Sequence, residues 1–250
     1  MSATLKLARN DQGEPEIFRS IQGEGRAIGR PRTFVRLSGC NLHCVWCDTA
    51  YTWNWNGTPF AHERGVKFDP SAEMVKIDVA DAAAQILALP SEGVVITGGE
   101  PTLQADALIA LIDVLRARAP DLLIEFETNG SIAPSGALCE RVDLFMVSPK
   151  LAHSGNDASV ALNERALSVF AQLPSAYFKF VAKTSTDIET AAAIAKRFGV
   201  PAGRVYIMPE GTTPEALHAR GPGLIDATLA YGFSYSDRLH IHLFGQKRGV

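Results

Sequence analysis

Two rhythms of apolar and polar positions alternate along the chain. Short β-branched and aromatic runs bounded by glycine, proline or polar residues read as strands: Thr33–Leu37, Val94–Thr97, Leu122–Phe126, Leu144–Val147, Tyr177–Val181 and Val205–Met208. Between them, apolar residues at helical spacing predict helices over Met74–Leu89, with Asp78 as a cap and Pro90 as a stop, and over Leu103–Ala119, ending before Pro120. Further helices are predicted over Asn163–Leu173, over Asp187–Phe198 with Gly199 as its stop, and from Thr213-Pro214 toward Tyr231. Alternation over Leu239–Leu243 predicts a last strand, with His240 and His242 as ordinary residues on one of its faces. Residues 1–15 read as a short strand or tail and a turn, and Ile17–Gly25 as a strand end running into a glycine-flanked loop. Residues 50–70 follow no period and predict a long functional loop, either a lid or, over Tyr51-Trp53-Trp55, a short edge strand. Strands alternating with helices predict an α/β fold whose parallel sheet curls into a full or partial barrel, with residues 1–250 as one domain.

Composition narrows the class. The chain has 250 residues, 46% apolar and 20% charged, an ordinary globular balance with enough length for a sizeable core. A formal net charge of -3 without a long basic run argues against a general nucleic-acid binder. The first residues lack the apolar core of a signal peptide, and no apolar run is long enough to span a membrane. With clustered cysteines, this predicts a cytoplasmic protein.

Those cysteines carry the chemistry. Three of the four lie in Gly39-Cys40-Asn41-Leu42-His43-Cys44-Val45-Trp46-Cys47-Asp48-Thr49, spaced CxxxCxxC. Thiolates suit zinc and iron–sulfur clusters, and a structural zinc site wants four ligands. His43 offers a fourth, but a residue between two ligands usually points away from the metal they share. A four-iron cubane on three thiolates keeps one iron open for a small molecule, the mark of a catalytic centre. Cys139, in a helical segment, reads as a small buried hydrophobe. Further motifs stand just after predicted strands: Gly98-Gly99-Glu100-Pro101, Glu127-Thr128-Asn129-Gly130 and Ser148-Pro149-Lys150. In parallel α/β folds that is where ligands bind, so one shared site is expected.

CxxxCxxC with Trp46 before the last cysteine resembles the cluster motif of the radical S-adenosylmethionine (SAM) superfamily. The ordered set that adds Phe18-Arg19-Ser20-Ile21-Gln22-Gly23-Glu24-Gly25, Gly29-Arg30-Pro31, Phe34-Val35-Arg36-Leu37, Cys47-Asp48-Thr49, Thr97-Gly98-Gly99-Glu100-Pro101, Glu127-Thr128-Asn129-Gly130 and Ser148-Pro149-Lys150 is similar to the 7-carboxy-7-deazaguanine synthase family. The likeness runs from about Glu16 to the C-terminus. It implies a partial (βα) TIM-like barrel of about six parallel strands and a lyase that turns 6-carboxy-5,6,7,8-tetrahydropterin into 7-carboxy-7-deazaguanine, with loss of ammonia, in queuosine biosynthesis. It further implies a 4Fe–4S cluster on Cys40, Cys44 and Cys47, with SAM on the open iron. Gly99 and Glu100 would meet the SAM amino group, Glu127 and Asn129 would face the same mouth, and Ser148, Pro149 and Lys150 would meet its ribose and carboxylate. For the substrate, Ile21, Gln22 and Gly23 offer backbone groups, Glu24 the partner of the guanidine-like edge, Arg36 a clamp for the carboxylate, and Thr97 a further contact. Thr49 would be a Mg2+ ligand, with Asp48 pointing elsewhere. The tail departs from the family's proline-ended pattern, so Val250 stands as the corresponding substrate contact. A flavodoxin or ferredoxin as electron donor and a homodimer complete the expectation. Two other readings are a glycyl-radical-enzyme activase, against which the QGEG loop and the Cys47-Asp48-Thr49 tripeptide argue, and a zinc- or cluster-binding module without chemistry.

Overall fold

A computed structural model describes residues 3–250. Ten strands form one sheet: β1 (Thr4–Ala8), β2 (Ile17–Ile21), β3 (Pro31–Leu37), β4 (Met74–Asp78), β5 (Gly93–Gly98), β6 (Leu123–Thr128), β7 (Leu144–Val147), β8 (Ala176–Ala182), β9 (Val205–Pro209) and β10 (Ser234–Tyr235). Their order is β10-β9-β8-β7-β6-β5-β3-β1-β4, with β2 added antiparallel on β3. From β3 to β10 every neighbour is parallel, whereas β1 and β4 close one edge antiparallel. The predicted six parallel strands are present, and the two-residue β10 extends them. β4 and β10 are the two ends of this order, so the barrel is partial.

One face of the parallel strands is apolar because helices cover it. Val35, Val94, Ile96, Ile124, Phe126 and Phe145 are fully buried. The helix Ala105–Arg118 lays Leu108, Leu111, Ile112 and Leu115 against them, a single i, i+3, i+4, i+7 stripe. Side-chain caps start several of the helices: Asn163 accepts from the Ala166 amide before Glu164–Gln172, and Thr213 from the Ala216 amide before Pro214–Arg220.

Three expectations are corrected. Met74–Leu89 is a strand and then a helix: Val75 and Ile77 pair opposite Leu7 and Leu5, and the helix Val79–Leu87 starts only where Asp78 caps the Ala80 amide. The segment after Thr213 is two helices, Pro214–Arg220 and Pro222–Ala230, because Pro222 has no amide hydrogen to continue the first. Leu239–Phe244 is a helix, not a strand; only Ile241 is buried, while Leu243 and Phe244 are exposed. Five residues are too few to separate alternation from a single short helix.

Residues 50–70 form neither a free lid nor an edge strand. A single bridge joins Trp55 to Phe68, and the Lys67 ammonium donates to Asn54 Oδ1 and to the Thr58 and Phe60 carbonyls. The segment folds back on the cysteine loop: His43 stacks on Phe60 with 3.4 Å between ring centroids, and the His62 ring meets the Cys47 carbonyl at 2.8 Å.

Candidate active site

The cysteine loop leaves β3 at Leu37, and β5 beside it ends at Gly98, directly opposite Leu37. The turn after β5 is wedged against the turn after β3. The Gly99 amide donates to the Leu37 carbonyl at 3.0 Å, and the Glu100 amide to the Gly39 carbonyl at 2.8 Å. A Cβ on Gly99 would lie 1.9 Å from the Gly39 carbonyl oxygen, so only glycine allows this approach.

Cys40, Cys44 and Cys47 line one wall of a cavity of about 270 Å³ at the C-terminal mouth of the sheet. Each sulfur has donors aimed at it. The Leu42 amide lies 3.4 Å from Cys40, Asn156 Nδ2 3.2 Å from Cys44, and Trp53 Nε1 3.3 Å from Cys47. Hydrogen bonds of this kind tune cluster thiolates. Burial drives all three thiols up, Cys44 to about 11, so the thiolates need a cationic partner. Among the described residues no three His, Cys, Asp or Glu side chains are arranged to hold a single metal ion, which a zinc knuckle would require. A cubane instead takes one thiolate per iron, and the donor set fits it.

Several predicted groups lie beside that wall. Asn129 Nδ2 donates to Asn41 Oδ1 at 3.0 Å, tying the turn after β6 to the cysteine loop. Ser148 and Lys150 line the cavity with the Lys150 ammonium 2.8 Å from Ser148 Oγ, and Thr49 Oγ1 lies 3.5 Å from Cys47 Sγ. Gly99 reaches the cavity. Two predicted contacts do not: Pro149 is buried behind the lining, and Glu100 is fully buried. Glu100 accepts from the Thr102 amide and hydroxyl, the Thr128 hydroxyl and the Asn129 amide, at 2.6–3.0 Å. Its carboxylate brackets the turns after β5 and β6 rather than facing a ligand.

The same cavity is lined by residues 21–24, Arg36, Thr97 and the C-terminal tail to Val250. Glu127 joins these residues, accepting from Thr97 Oγ1 at 2.8 Å and Gln22 Nε2 at 3.1 Å. Glu24 is gripped by two buried cations, Lys179 and Arg238, and Arg238 also pairs with Asp48. Burial raises the Glu24 carboxyl, but Lys179 and Arg238 outweigh it and hold the group well below the usual carboxylate range. His240 packs where Gly23 lacks a side chain, 3.9 Å from Glu24, and burial lowers its ring. It lines the cavity and is no ordinary sheet residue, whereas His242 is exposed and pairs with Asp237. Arg36 is no surface residue either; its Nε donates to Glu16 at 2.8 Å.

Lys179, Arg238, Glu16 and Tyr51 went unread in the sequence. Lys179 had a signal: a lone charge inside the apolar run Tyr177–Val181. Glu16, Tyr51 and Arg238 had none, since each acquires its partner from 20, 35 or 214 residues away.

An open parallel sheet with three cysteines at its mouth is the architecture of radical SAM enzymes, and comparison with known proteins agrees. A 4Fe-4S single cluster domain model matches residues 21–163. The 7-carboxy-7-deazaguanine synthase of Pyrobaculum aerophilum is 37% identical over 94% of this chain and 95% of its own. That of Rhodopirellula baltica is 32% identical over 94% and 87%. The crystal structure of QueE from Escherichia coli shares the fold, with a TM-score of 0.65 at 24% identity over 94% of this chain and 95% of that one. The chain belongs to the 7-carboxy-7-deazaguanine synthase family. No helix among the described residues is long and apolar enough to cross a membrane.

Proposed function

We infer that the protein is a radical SAM lyase that converts 6-carboxy-5,6,7,8-tetrahydropterin to 7-carboxy-7-deazaguanine with loss of ammonia, in queuosine biosynthesis. The observation that carries this reading is one cavity lined by Cys40, Cys44 and Cys47 together with an acid, Glu24, and a base, Arg36. That polarity matches a substrate with a guanidine-like edge and a carboxylate. A cluster held by Cys40, Cys44 and Cys47 would supply the one-electron reduction on which radical SAM chemistry depends.

The chain's own residues bind, orient and exclude water. Cys40, Cys44 and Cys47 would hold the cluster. Gly99, Asn129, Ser148 and Lys150 line the same wall and would meet SAM. Glu24, kept ionised by its cations, would take N–H donors of the pterin, with backbone groups of Ile21–Gly23 beside it. Arg36 would take the carboxylate, and Thr97 and Glu127 would border the ring. A Mg2+ ion would use Thr49 Oγ1 as its protein ligand, with the substrate carboxylate and waters completing its shell. The tail lines the cavity, which narrows it toward a small substrate rather than the protein partner of an activase. A cytoplasmic homodimer reduced by a flavodoxin or ferredoxin completes the reading.

The test is anaerobic incubation of the reconstituted protein with SAM, reductant and the carboxypterin. The expected outcome is 7-carboxy-7-deazaguanine and ammonia, lost on replacing Cys40, Cys44 or Cys47 by alanine and kept in Cys139→Ala. SAM cleavage without the deazapurine product would refute the assignment.

A further inference from the structure

Arg36 does not stand alone. The Glu16 carboxylate is buried, with no side-chain exposure. Its Oε1 accepts Arg36 Nε at 2.8 Å. Its Oε2 is taken by the Tyr51 hydroxyl at 2.9 Å, which lies 3.2 Å from Oε1. A carboxylate and a guanidinium left to themselves pair through two parallel hydrogen bonds. Here Tyr51 occupies the second oxygen, so the pair is held by one. Among the described residues neither Arg36 Nη has a hydrogen-bond partner, and the guanidinium lines the cavity with part of its surface open. The Tyr51 ring is itself fixed from outside by the Arg248 guanidinium, 3.6 Å from its centroid.

We propose that Glu16 and Tyr51 are positioning residues that hold Arg36 by Nε alone and so keep its two Nη groups free for the carboxylate of the substrate. The proposal rests on the carboxypterin reading above and adds to it the device that selects a carboxylated ligand. Tyr51 suits the task because burial drives its phenol up, leaving it a permanent donor. With the hydroxyl removed, Glu16 is free to rotate onto Arg36 as a two-toothed partner and compete with the substrate.

The experiment compares 6-carboxytetrahydropterin with tetrahydropterin lacking the carboxylate, titrated by fluorescence into cluster-loaded protein with SAM present. Wild type is expected to prefer the carboxylated ligand. In Tyr51→Phe, which keeps the ring under Arg248, the preference should fall about tenfold or more, the loss of one hydrogen bond to a charged group. Affinity for the carboxylate-free pterin and for SAM should be unchanged. Glu16→Gln, which keeps shape but loses the charged anchor, should reduce the same ratio, and it decides the matter if Tyr51→Phe loads its cluster poorly. A ratio equal to wild type in a loaded variant overturns the positioning role while leaving the function standing. A wild type with no preference for the carboxylate overturns the reading beneath it.

Discussion

At the scale of single residues, this site depends on where side chains are missing as much as on where they are. Gly99 can sit against Gly39 only because it has no Cβ, and that contact sets the start of the cysteine loop at Cys40. Gly99→Ala must push backbone against backbone. We expect a loss of about 1–3 kcal/mol in stability and iron content well below wild type. Gly136→Ala, with open space around the new methyl in the short helix Gly136–Cys139, should be neutral or slightly stabilising. Iron per chain and thermal midpoints of both proteins check this; equal iron in Gly99→Ala would show that the wedge does not shape the loop. The cysteines, Gly99, Glu24, Arg36 and Thr97 were legible in the sequence because each stands in a local motif at a strand end. The role of Glu100 was not, because its partners Thr128 and Asn129 come from the next strand and only the fold shows that they consume its carboxylate.

At the scale of elements, the parallel strands are legible because one face packs against helices and the other borders the cavity, which leaves short runs rich in apolar residues. The misreadings fall at the margins. Met74–Asp78 fits a helical period in the sequence, and its antiparallel partner is β1, which lies near the start of the chain. The last helix was read as a strand because Leu239, Ile241 and Leu243 alternate, although just one of them is buried. That helix matters, since it leads into the tail that lines the cavity. The Leu239 amide donates to the Gly23 carbonyl at 2.9 Å, and Arg248 fastens the tail end by stacking on Tyr51 and pairing with Glu73 at 2.6 Å. A partly desolvated cation–π contact contributes roughly 1–2 kcal/mol. Arg248→Ala should therefore lower global stability by no more than about 1–2 kcal/mol while freeing the tail. Hydrogen exchange at Gly245–Val250 should rise, carboxypeptidase should release Val250 faster, and KM for the pterin should increase. Exchange as slow as in wild type would show that other contacts hold the strap.

At the scale of the whole molecule, the sheet is open between β4 and β10, and ion pairs draw its mouth together. Glu24 follows β2, Lys179 lies on β8, Asp48 follows the cysteines, and Arg238 precedes the last helix; their pairs span 155–214 residues of sequence. This gives the mouth a definite pH dependence. An unfolded glutamate titrates near ~4.3. Burial raises the folded Glu24 carboxyl, yet Lys179, Arg238 and His240 bring it well below that value. Its contribution to stability is thus fully present above the unfolded value and disappears only as pH falls through the lower folded one. Glu100 and Glu125, which burial raises, act in the opposite sense: their contribution is present in acid and declines as pH rises through their folded values. In Lys179→Met burial gains on the remaining cations, so Glu24 moves toward that second group. The acid unfolding midpoint should shift to higher pH, and stability at pH 7 should fall by up to the ~3–5 kcal/mol of a broken buried pair, less what Arg238 retains. Adding Glu24→Gln should recover part of that loss, because the uncompensated carboxylate is gone. Acid titrations of wild type, both single variants and the double variant, followed by circular dichroism, measure the coupling. An unchanged midpoint in Lys179→Met would mean that Arg238 alone secures Glu24 and that the link from β2 to β8 adds nothing to closing the mouth.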